Sequence, residues 1–415
     1  MVRSWARVLR LYVLAGALGL AIGVFAVAFL GLVHLVVVLL WERLPEAGWV
    51  GGHRALLTIG VCVAGGALVG LINRDAEVHD LEHALDEAES EAPPIRRPVG
   101  LARLALLGVI SLGFGAALGP EAPLVVLVSG LVSRSRAVLG LARDEATEIS
   151  VGAALAGVFG GPIAAVAIAA ERAPGDRQGW SWQSVGPAIV ASSAGLWVVA
   201  TLLPDGALHP FQVEAWSLGL GARLLIGAVA AVIGAVVAAG LHQALPIAHR
   251  TAIAVAPNLL ARGVVGGLVL GLAGAAAPTS LFSGHDQMQL LLDGRAAGWE
   301  AFALAVLRAV ALVACLSTGW FGGEVFPVSA VGMAVAVGLA TPFGSQATMV
   351  AGVAAMVAAG AGAIRRPLAA FLIYAALLPT AVLPLVGLAV AVAAGVLSAG
   401  RASGDAAPDA AEAPA

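Results

Sequence analysis

The chain has 415 residues, of which 60% are hydrophobic and only 11% are charged, and its mean hydropathy is +0.96. In soluble proteins about a quarter of the residues are charged, so this composition excludes a soluble globular domain. It predicts an all-α protein that crosses a membrane several times. The net charge of −3 and the lack of a basic segment argue against nucleic acid as a partner.

The first 72 residues predict two membrane spans. The first apolar segment, at about 8–40, exceeds the ~20 residues that a bilayer requires, and no signal-peptide cleavage site interrupts it. We therefore expect a retained and tilted first helix. Arg3, Arg7 and Arg10 lie at or before its start and predict a cytoplasmic N-terminus. The second span is expected at about 55–72.

A charge-dense stretch follows at 73–98 and predicts a solvated cytoplasmic loop with one short helix. His79, Asp80 and His83 lie in it and are candidate metal ligands. They do not form a defined ligand set. We therefore expect no metal site and no cofactor.

The remaining apolar segments predict eleven further helices, and the C-terminus predicts a tail. The helices are expected at about 99–118, 121–140, 147–170, 183–203, 217–245, 253–273, 299–318, 326–340, 347–362, 367–378 and 380–399, with the third broken at 160–162. Residues 401–415 are rich in Ala, Pro, Asp and Glu and predict a disordered cytoplasmic tail. Cys62 and Cys315 lie in separate apolar segments and are expected to be buried thiols.

Five landmarks of the first half recur in the second half, in the same order and at offsets of 201 to 206. The pairs are Leu44-Pro45 with Leu245-Pro246, the Gly65–Leu71 run with the Gly266–Leu272 run, His79-Asp80 with His285-Asp286, Glu121 with Glu324, and Pro162 with Pro367. This pattern predicts a first membrane repeat at 1–208 and a second at 209–400. Transporters built from inverted repeats place their binding site where the broken helices of the two repeats meet.

The segment Gly119-Pro120-Glu121-Ala122-Pro123 places a carboxylate at the start of a helix. Proline is favoured in the first helical turn, where its missing N–H costs nothing. The nearest ionisable residues are Arg103 and Arg134. An isolated carboxylate in an apolar segment is costly and marks a functional site. The alternative interpretation is a simple helix cap.

A second helix N-terminus is expected at Val325-Phe326, and the two should converge near the bilayer midplane. Unpaired N–H groups and the positive ends of two helix dipoles suit a small anion that must also leave. Glycine lets the backbone approach closely. The predicted anion-binding residues are Gly119, Pro120, Ala122, Gly323, Val325 and Phe326. When ionised, Glu121 would compete for the position of the anion, and when protonated it could swing away, so it is the predicted gate.

At these residues the sequence resembles the CLC family of chloride channels and anion/proton antiporters. Gly119–Pro123 resembles the GREGP segment of that family, and Gly323–Pro327 resembles its GxFxP segment. Phe159–Ala165 and Ile364–Ala370 resemble its FNAPL and IRAPL helices. The resemblance covers about residues 8–400 and is closest to a divergent bacterial branch of ion-transport proteins. It implies a homodimer with one pore per subunit in the bacterial plasma membrane, with chloride as the transported anion.

Three departures from the family pattern concern the anion site. Asp75–His79 stands where the family has its serine-bearing GSGIP segment. In the GxFxP segment the phenylalanine comes one position late, at Phe326. The pore tyrosine of the last helix is missing, and the only tyrosines are Tyr12 and Tyr374.

A fourth departure concerns protons. The inner proton glutamate of the antiporters aligns with Arg172, which leaves the adjacent Glu171 as the candidate for a proton pathway. A guanidinium cannot relay a proton near neutral pH. Passive or gated anion permeation is therefore the leading hypothesis, and a proton-coupled anion or fluoride antiporter is the alternative. A membrane enzyme that uses Glu121 and Glu324 as an acid/base pair is disfavoured, because neither a nucleophile nor a metal cluster accompanies them.

Overall fold

A computed structural model of the chain describes residues 2–46, 53–73, 98–159, 161–162, 167, 171, 182–203 and 210–405. Within these ranges the fold is helical, and ten helices are long and apolar enough to cross a membrane. Helices suit the bilayer because they satisfy every backbone N–H and C=O group internally. The chain is therefore a multi-pass membrane protein, as the composition predicts.

The first half contains six helices in these ranges. They are α1 (Val2–Val37), α2 (Arg54–Ile72), α3 (Pro98–Gly113), α4 (Glu121–Leu139), α5 (Arg143–Phe159) and α6 (Trp182–Leu202). A wider π-helical turn, Val38–Arg43, and the short turn Leu44–Glu46 extend α1.

The second half contains eight helices. They are α7 (Leu220–Val255), α8 (Leu259–Ala276), α9 (His285–Leu292), α10 (Gly298–Ser317), α11 (Val325–Ala340), α12 (Ser345–Ile364), α13 (Pro367–Leu377) and α14 (Leu383–Asp405). Short 3₁₀ turns at Pro278–Ser280, Thr341–Phe343 and Thr380–Val382 lie between them.

Several predicted helix ends were wrong. α3 ends at Gly113 and not at 118, because the run of small residues that follows is irregular and leads into α4. α7 does not end near 245 but continues through Pro246 to Val255. A proline inside a helix removes one backbone hydrogen bond, and the long apolar helix continues past that defect. α14 continues to Asp405, into the segment for which disorder was predicted, and residues 406–415 lie outside the described ranges.

The contact between α2 and α8 shows the reciprocity of a duplicated structure. A Cβ atom at Gly66 would lie 2.0 Å from the carbonyl oxygen of Gly263, so the two backbones touch. Adding the repeat offset of 201 to Gly66 gives Gly267, and subtracting it from Gly263 gives Cys62. A Cβ at Gly267 would indeed lie 2.3 Å from the carbonyl oxygen of Cys62. Small residues permit this close approach between membrane helices.

The segments that precede α4 and α11 match in the same way. Gly115 and Gly319 both have a left-handed φ, of 89° and 92°, which glycine adopts without steric cost. Their positions differ by 204, close to the offset of the other landmarks. The matching contacts and dihedral angles agree with two repeats, whose boundaries at 208 and 400 remain predictions.

α4 and α11 run from neighbouring N-termini to different ends of the bundle. The last turn of α4 meets the start of α1, where the Arg10 guanidinium donates a hydrogen bond to the Leu139 carbonyl oxygen at 3.2 Å. α11 ends beside the start of α10, where the Gly298 N–H donates to the Thr341 hydroxyl oxygen at 2.7 Å. This divergence is what inversion of one repeat relative to the other requires.

The inverted arrangement predicts that residues 74–98 face the cytoplasm and residues 280–296 face the opposite side. Single cysteines at Ser90 and at the exposed Arg295 test it, because the native Cys62 and Cys315 are free thiols buried in the bundle. In inside-out vesicles a membrane-impermeant maleimide should label Ser90→Cys at least several times faster than Arg295→Cys, and intact cells should reverse the order. Equal labelling of both positions from one side contradicts the inverted arrangement.

Candidate functional site

The two repeats meet at a pair of glycines. The Gly119 N–H donates to the Gly323 carbonyl oxygen at 2.8 Å, and the Gly323 N–H donates to the Gly119 carbonyl oxygen at 2.7 Å. The helices α4 and α11 begin directly after this bridge. The structure thus brings together the two helix N-termini that the sequence analysis singled out.

The two helices begin alike. Each has two residues whose N–H groups have no acceptor within the helix, followed by a proline, which has no N–H. These residues are Glu121, Ala122 and Pro123 in α4, and Val325, Phe326 and Pro327 in α11. Pro120 is the residue before α4. Neither helix has a side-chain cap. The positive ends of both helix dipoles therefore face one small region of buried backbone.

The carboxyl group of Glu121 occupies this region. The side chain is fully buried, and Oε1 accepts a hydrogen bond from the Val325 N–H at 3.3 Å. Among the described residues Oε2 has no hydrogen-bond partner. A simple helix cap accepts only from the N–H groups of its own helix, whereas Glu121 also accepts from the first N–H of α11. The carboxyl group thus lies where an anion bound to the α11 N-terminus would lie.

Both bridge glycines leave room for this carboxyl group. A Cβ atom at Gly119 would lie 2.0 Å from Glu121 Oε2, and one at Gly323 would lie 2.1 Å from Glu121 Cδ. Neither glycine has a positive φ, so the requirement is for space and not for an unusual backbone conformation. Any larger residue at these two positions must displace the Glu121 side chain.

We expect Gly323→Ala to expel the Glu121 carboxyl group from the α11 N-terminus. Anion efflux from proteoliposomes should then lose its dependence on pH, and its rate at neutral pH should rise to the rate at acid pH. Gly240→Ala is the control, because no atom lies within 4 Å of a Cβ at that position of α7. A folded Gly323→Ala protein with the pH profile of the native protein contradicts this role of the bridge.

Aromatic rings surround the start of α11. The Phe326 ring lies 5.5 Å from Phe159 and 5.9 Å from His285, and His285 lies 4.4 Å from Phe211. Phe159 and Phe326 were named from the motifs, and His285 only as a repeat landmark. Phe211 was missed, because it lies in an irregular segment before α7. These four rings pack together beside the start of α11.

Tyr374 also lies beside α11. It is fully buried in α13, and its hydroxyl group hydrogen-bonds to Ser329 Oγ. Ser329 Oγ in turn donates to the Val325 carbonyl oxygen at 2.7 Å. Since a serine hydroxyl has one proton, Tyr374 is then the donor to Ser329, and both protons are used within the protein. Tyr374 packs the first turn of α11 without offering a donor to an anion in this arrangement.

Glu171 lies apart from the bridge, at the N-terminus of α13. Its Oε1 accepts from the Leu368 N–H at 2.6 Å, and its Oε2 accepts from the Ala369 N–H at 2.8 Å. Glu171 belongs to the first repeat and therefore caps α13, a helix of the second repeat. The candidate proton pathway would require this carboxylate to release both N–H groups. Arg172, Asp75–His79 and the candidate metal ligands His79, Asp80 and His83 lie outside the described residues.

The chain is similar to several known proteins. Residues 59–398 match the family model described as voltage gated chloride channel. Among curated proteins, the "Putative ion-transport protein YfeO" of Shigella flexneri is 29% identical over 329 residues, which are 77% of each chain. The protein of that name from Escherichia coli O1:K1 shows the same identity and coverage.

Two solved structures share the fold. The crystal structure of a slow cyanobacterial Cl⁻/H⁺ antiporter aligns with a TM-score of 0.80 at 20% identity and covers 94% of both chains. That of a CLC-type fluoride/proton antiporter aligns with a TM-score of 0.71 at 21% identity and covers 92% of this chain and 95% of the other. At such identities the likeness establishes the architecture alone.

Proposed function

Because this chain belongs to the voltage gated chloride channel family, we propose that it conducts a small inorganic anion through a path gated by Glu121. Chloride is the first candidate, and the path passes the N-termini of α4 and α11. The membrane is the bacterial plasma membrane, and the working unit is a homodimer with a path in each subunit. The proposal for the anion-binding residues covers Gly119, Pro120, Ala122, Gly323, Val325 and Phe326.

The observation that supports this proposal best is the hydrogen bond from the Val325 N–H to Glu121 Oε1. It places a negative group of the protein at the end of a helix dipole that attracts anions. Protonation removes the charge that holds the group there. The carboxyl group can then leave, and an anion of similar size can take its place.

A site made of backbone N–H groups suits permeation better than tight binding. It carries no fixed countercharge, so an anion can enter and still leave. The buried hydroxyl groups of Ser329 and Tyr374 bond to each other and to the backbone. Selectivity then depends on backbone N–H groups and on the size of the space that the two glycines leave.

The second candidate function is proton-coupled exchange, with chloride or fluoride as the anion. It is favoured by the two solved neighbours, which are a Cl⁻/H⁺ and a fluoride/proton antiporter. Against it stand Arg172, which keeps its proton, and the engagement of Glu171 by two N–H groups of α13. We propose that transport is uncoupled from protons.

Purified protein in liposomes separates these functions. We expect chloride efflux without stoichiometric proton movement, as reported by a pH indicator. Glu171→Gln should change the rate of efflux by less than about twofold, although it weakens the cap of α13. Loss of the cap should lower the free energy of unfolding by about 1 kcal/mol and should therefore lower the unfolding temperature. Proton uptake against an anion gradient that Glu171→Gln abolishes would establish the antiporter instead. No anion flux for halides or nitrate would refute both.

A further inference from the structure

An apolar groove lies on the outside of the bundle between α7, α11 and α12. Its volume is about 650 Å³, and Ser345 and Gln346 are the only polar residues that line it. Leu225, Val229 and Phe343 line it and are 70%, 60% and 79% exposed. These side chains belong to segments long and apolar enough to span a bilayer, so the groove faces lipid and not water.

A cation lies at one end of this groove. Arg223 is in the first turn of α7 and shares a helical face with Ile226, Ala230 and Ile233, which line the groove. Its guanidinium carbon lies 5.7 Å from the centre of the Trp216 ring. The neighbouring Ser217 N–H donates to Gln346 Oε1 at 2.9 Å, which ties this end to the opposite wall.

Two hydrogen-bond donors at this end lack an acceptor. Arg223 Nε and Trp216 Nε1 are both buried and have no hydrogen-bond partner among the described residues. Leaving a buried donor unpaired is unfavourable. A cation in the first turn of a helix also lies at the unfavourable end of the helix dipole. An anionic group beside the Arg223 guanidinium would offset this second cost.

The length of the groove matches one leaflet of a membrane. From Arg223 to Ile233 the helix rises about 15 Å, which is half of the ~30 Å hydrocarbon core of a bilayer. Tryptophan and arginine are typical of the membrane–water interface, where lipid phosphates lie. Arginine binds phosphate through several N–H groups at once.

We propose that the groove binds one phospholipid. Its phosphodiester lies against the Arg223 guanidinium, which packs on the Trp216 ring, and one acyl chain lies along Ile226, Val229 and Ile233. On the inverted topology this lipid belongs to the leaflet opposite the cytoplasm. The site is separate from the anion path and does not depend on the function proposed for Glu121.

The test uses full-length protein that has been delipidated in detergent. Dioleoylphosphatidylglycerol is added, and binding is followed by the shift of the unfolding temperature and by native mass spectrometry. Dioleoylglycerol, which lacks the phosphate, and glycerol phosphate, which lacks the chains, are the two comparison ligands. We expect the phospholipid to raise the unfolding temperature and to bind with one tight molecule per subunit, and the other two ligands to do neither.

Three variants identify the site. Arg223→Gln should weaken phospholipid binding about tenfold, the effect of one hydrogen bond to a charged group, and Ala340→Phe should do the same by filling the groove. Arg295→Gln should bind as the native protein does, because Arg295 is an exposed cation near Asp293 and away from the groove. Equal stabilisation by dioleoylglycerol, or native affinity in both Arg223→Gln and Ala340→Phe, overturns the proposal. Cross-linking of two copies through cysteines at Val229 in the delipidated and the lipid-loaded protein alike would assign the groove to a second copy of this chain.

Discussion

Replacing Glu121 with glutamine is expected to leave the anion path open at every pH. Glutamine keeps the shape of the side chain and removes its charge, as protonation does. The group then has no electrostatic reason to stay at the Val325 N–H. Chloride efflux from proteoliposomes should therefore lose its pH dependence, and the rate at neutral pH should reach the maximum of the native protein.

Glu121→Ala should give the same flat pH profile and should also free space beside Gly119 and Gly323 for an additional anion. Glu324→Gln is the matched control, since Glu324 is the repeat counterpart and lies one residue before α11. It should retain the pH profile of the native protein. If Glu121 were only a helix cap, its loss would cost about 1 kcal/mol of stability and leave the profile unchanged. That result in folded Gln and Ala variants would remove Glu121 from the mechanism.

Replacing Arg308 with methionine is expected to be the most destabilising single change outside the bridge. Arg308 is fully buried in α10, and its guanidinium donates to the Gln287 side chain and to the carbonyl oxygens of Thr279, Leu281 and Phe282. Methionine fills the volume but leaves these acceptors unpaired, and the bonds to Gln287 and Leu281 are fully buried. Each buried acceptor costs about 1–3 kcal/mol, so the free energy of unfolding should fall by about 2–6 kcal/mol.

The effect should reach the anion path. Phe282 has a left-handed φ of 61°, which is unfavourable for a residue with a side chain, and Arg308 holds its carbonyl group. The same segment leads into α9 and His285, whose ring contacts Phe326. Thermal unfolding in detergent measures the loss, and Arg308→Lys should recover part of it. An Arg308→Met protein as stable as the native one would show that this cluster does not hold the segment.

The two helix starts of the candidate site could be predicted from the sequence because their geometry is local. Proline, glycine and glutamate at 119–123 specify a helix start, and that start is where the structure has α4. The repeat then predicted a second start, and α11 begins at Val325. Glycine pairs such as Gly66 and Gly267 made the repeat recognisable in the sequence. The close contact between helices leaves no space for a side chain at these positions.

What was not predicted depends on contacts between distant segments. Arg308 was not singled out from the sequence, although a lone arginine in an apolar span is a known sign of a functional or structural site. Nothing in the neighbouring residues identifies the carbonyl groups that it binds. Tyr374 was mentioned only because the last helix lacks the tyrosine of the family. In the structure it lies in α13 and hydrogen-bonds to Ser329. Glu171 was considered for proton transfer from an alignment, and its two bonds to α13 belong to the tertiary structure.

The bridge between Gly119 and Gly323 bears on how fast the protein can work. Two backbone hydrogen bonds tie the repeats together on the proposed anion path, so a rocking motion of one repeat against the other would have to break them. Rotation of the Glu121 side chain breaks neither. Domain motions take microseconds to milliseconds, and a gate made of one side chain does not require them. We therefore expect opening to leave the bridge between the repeats intact.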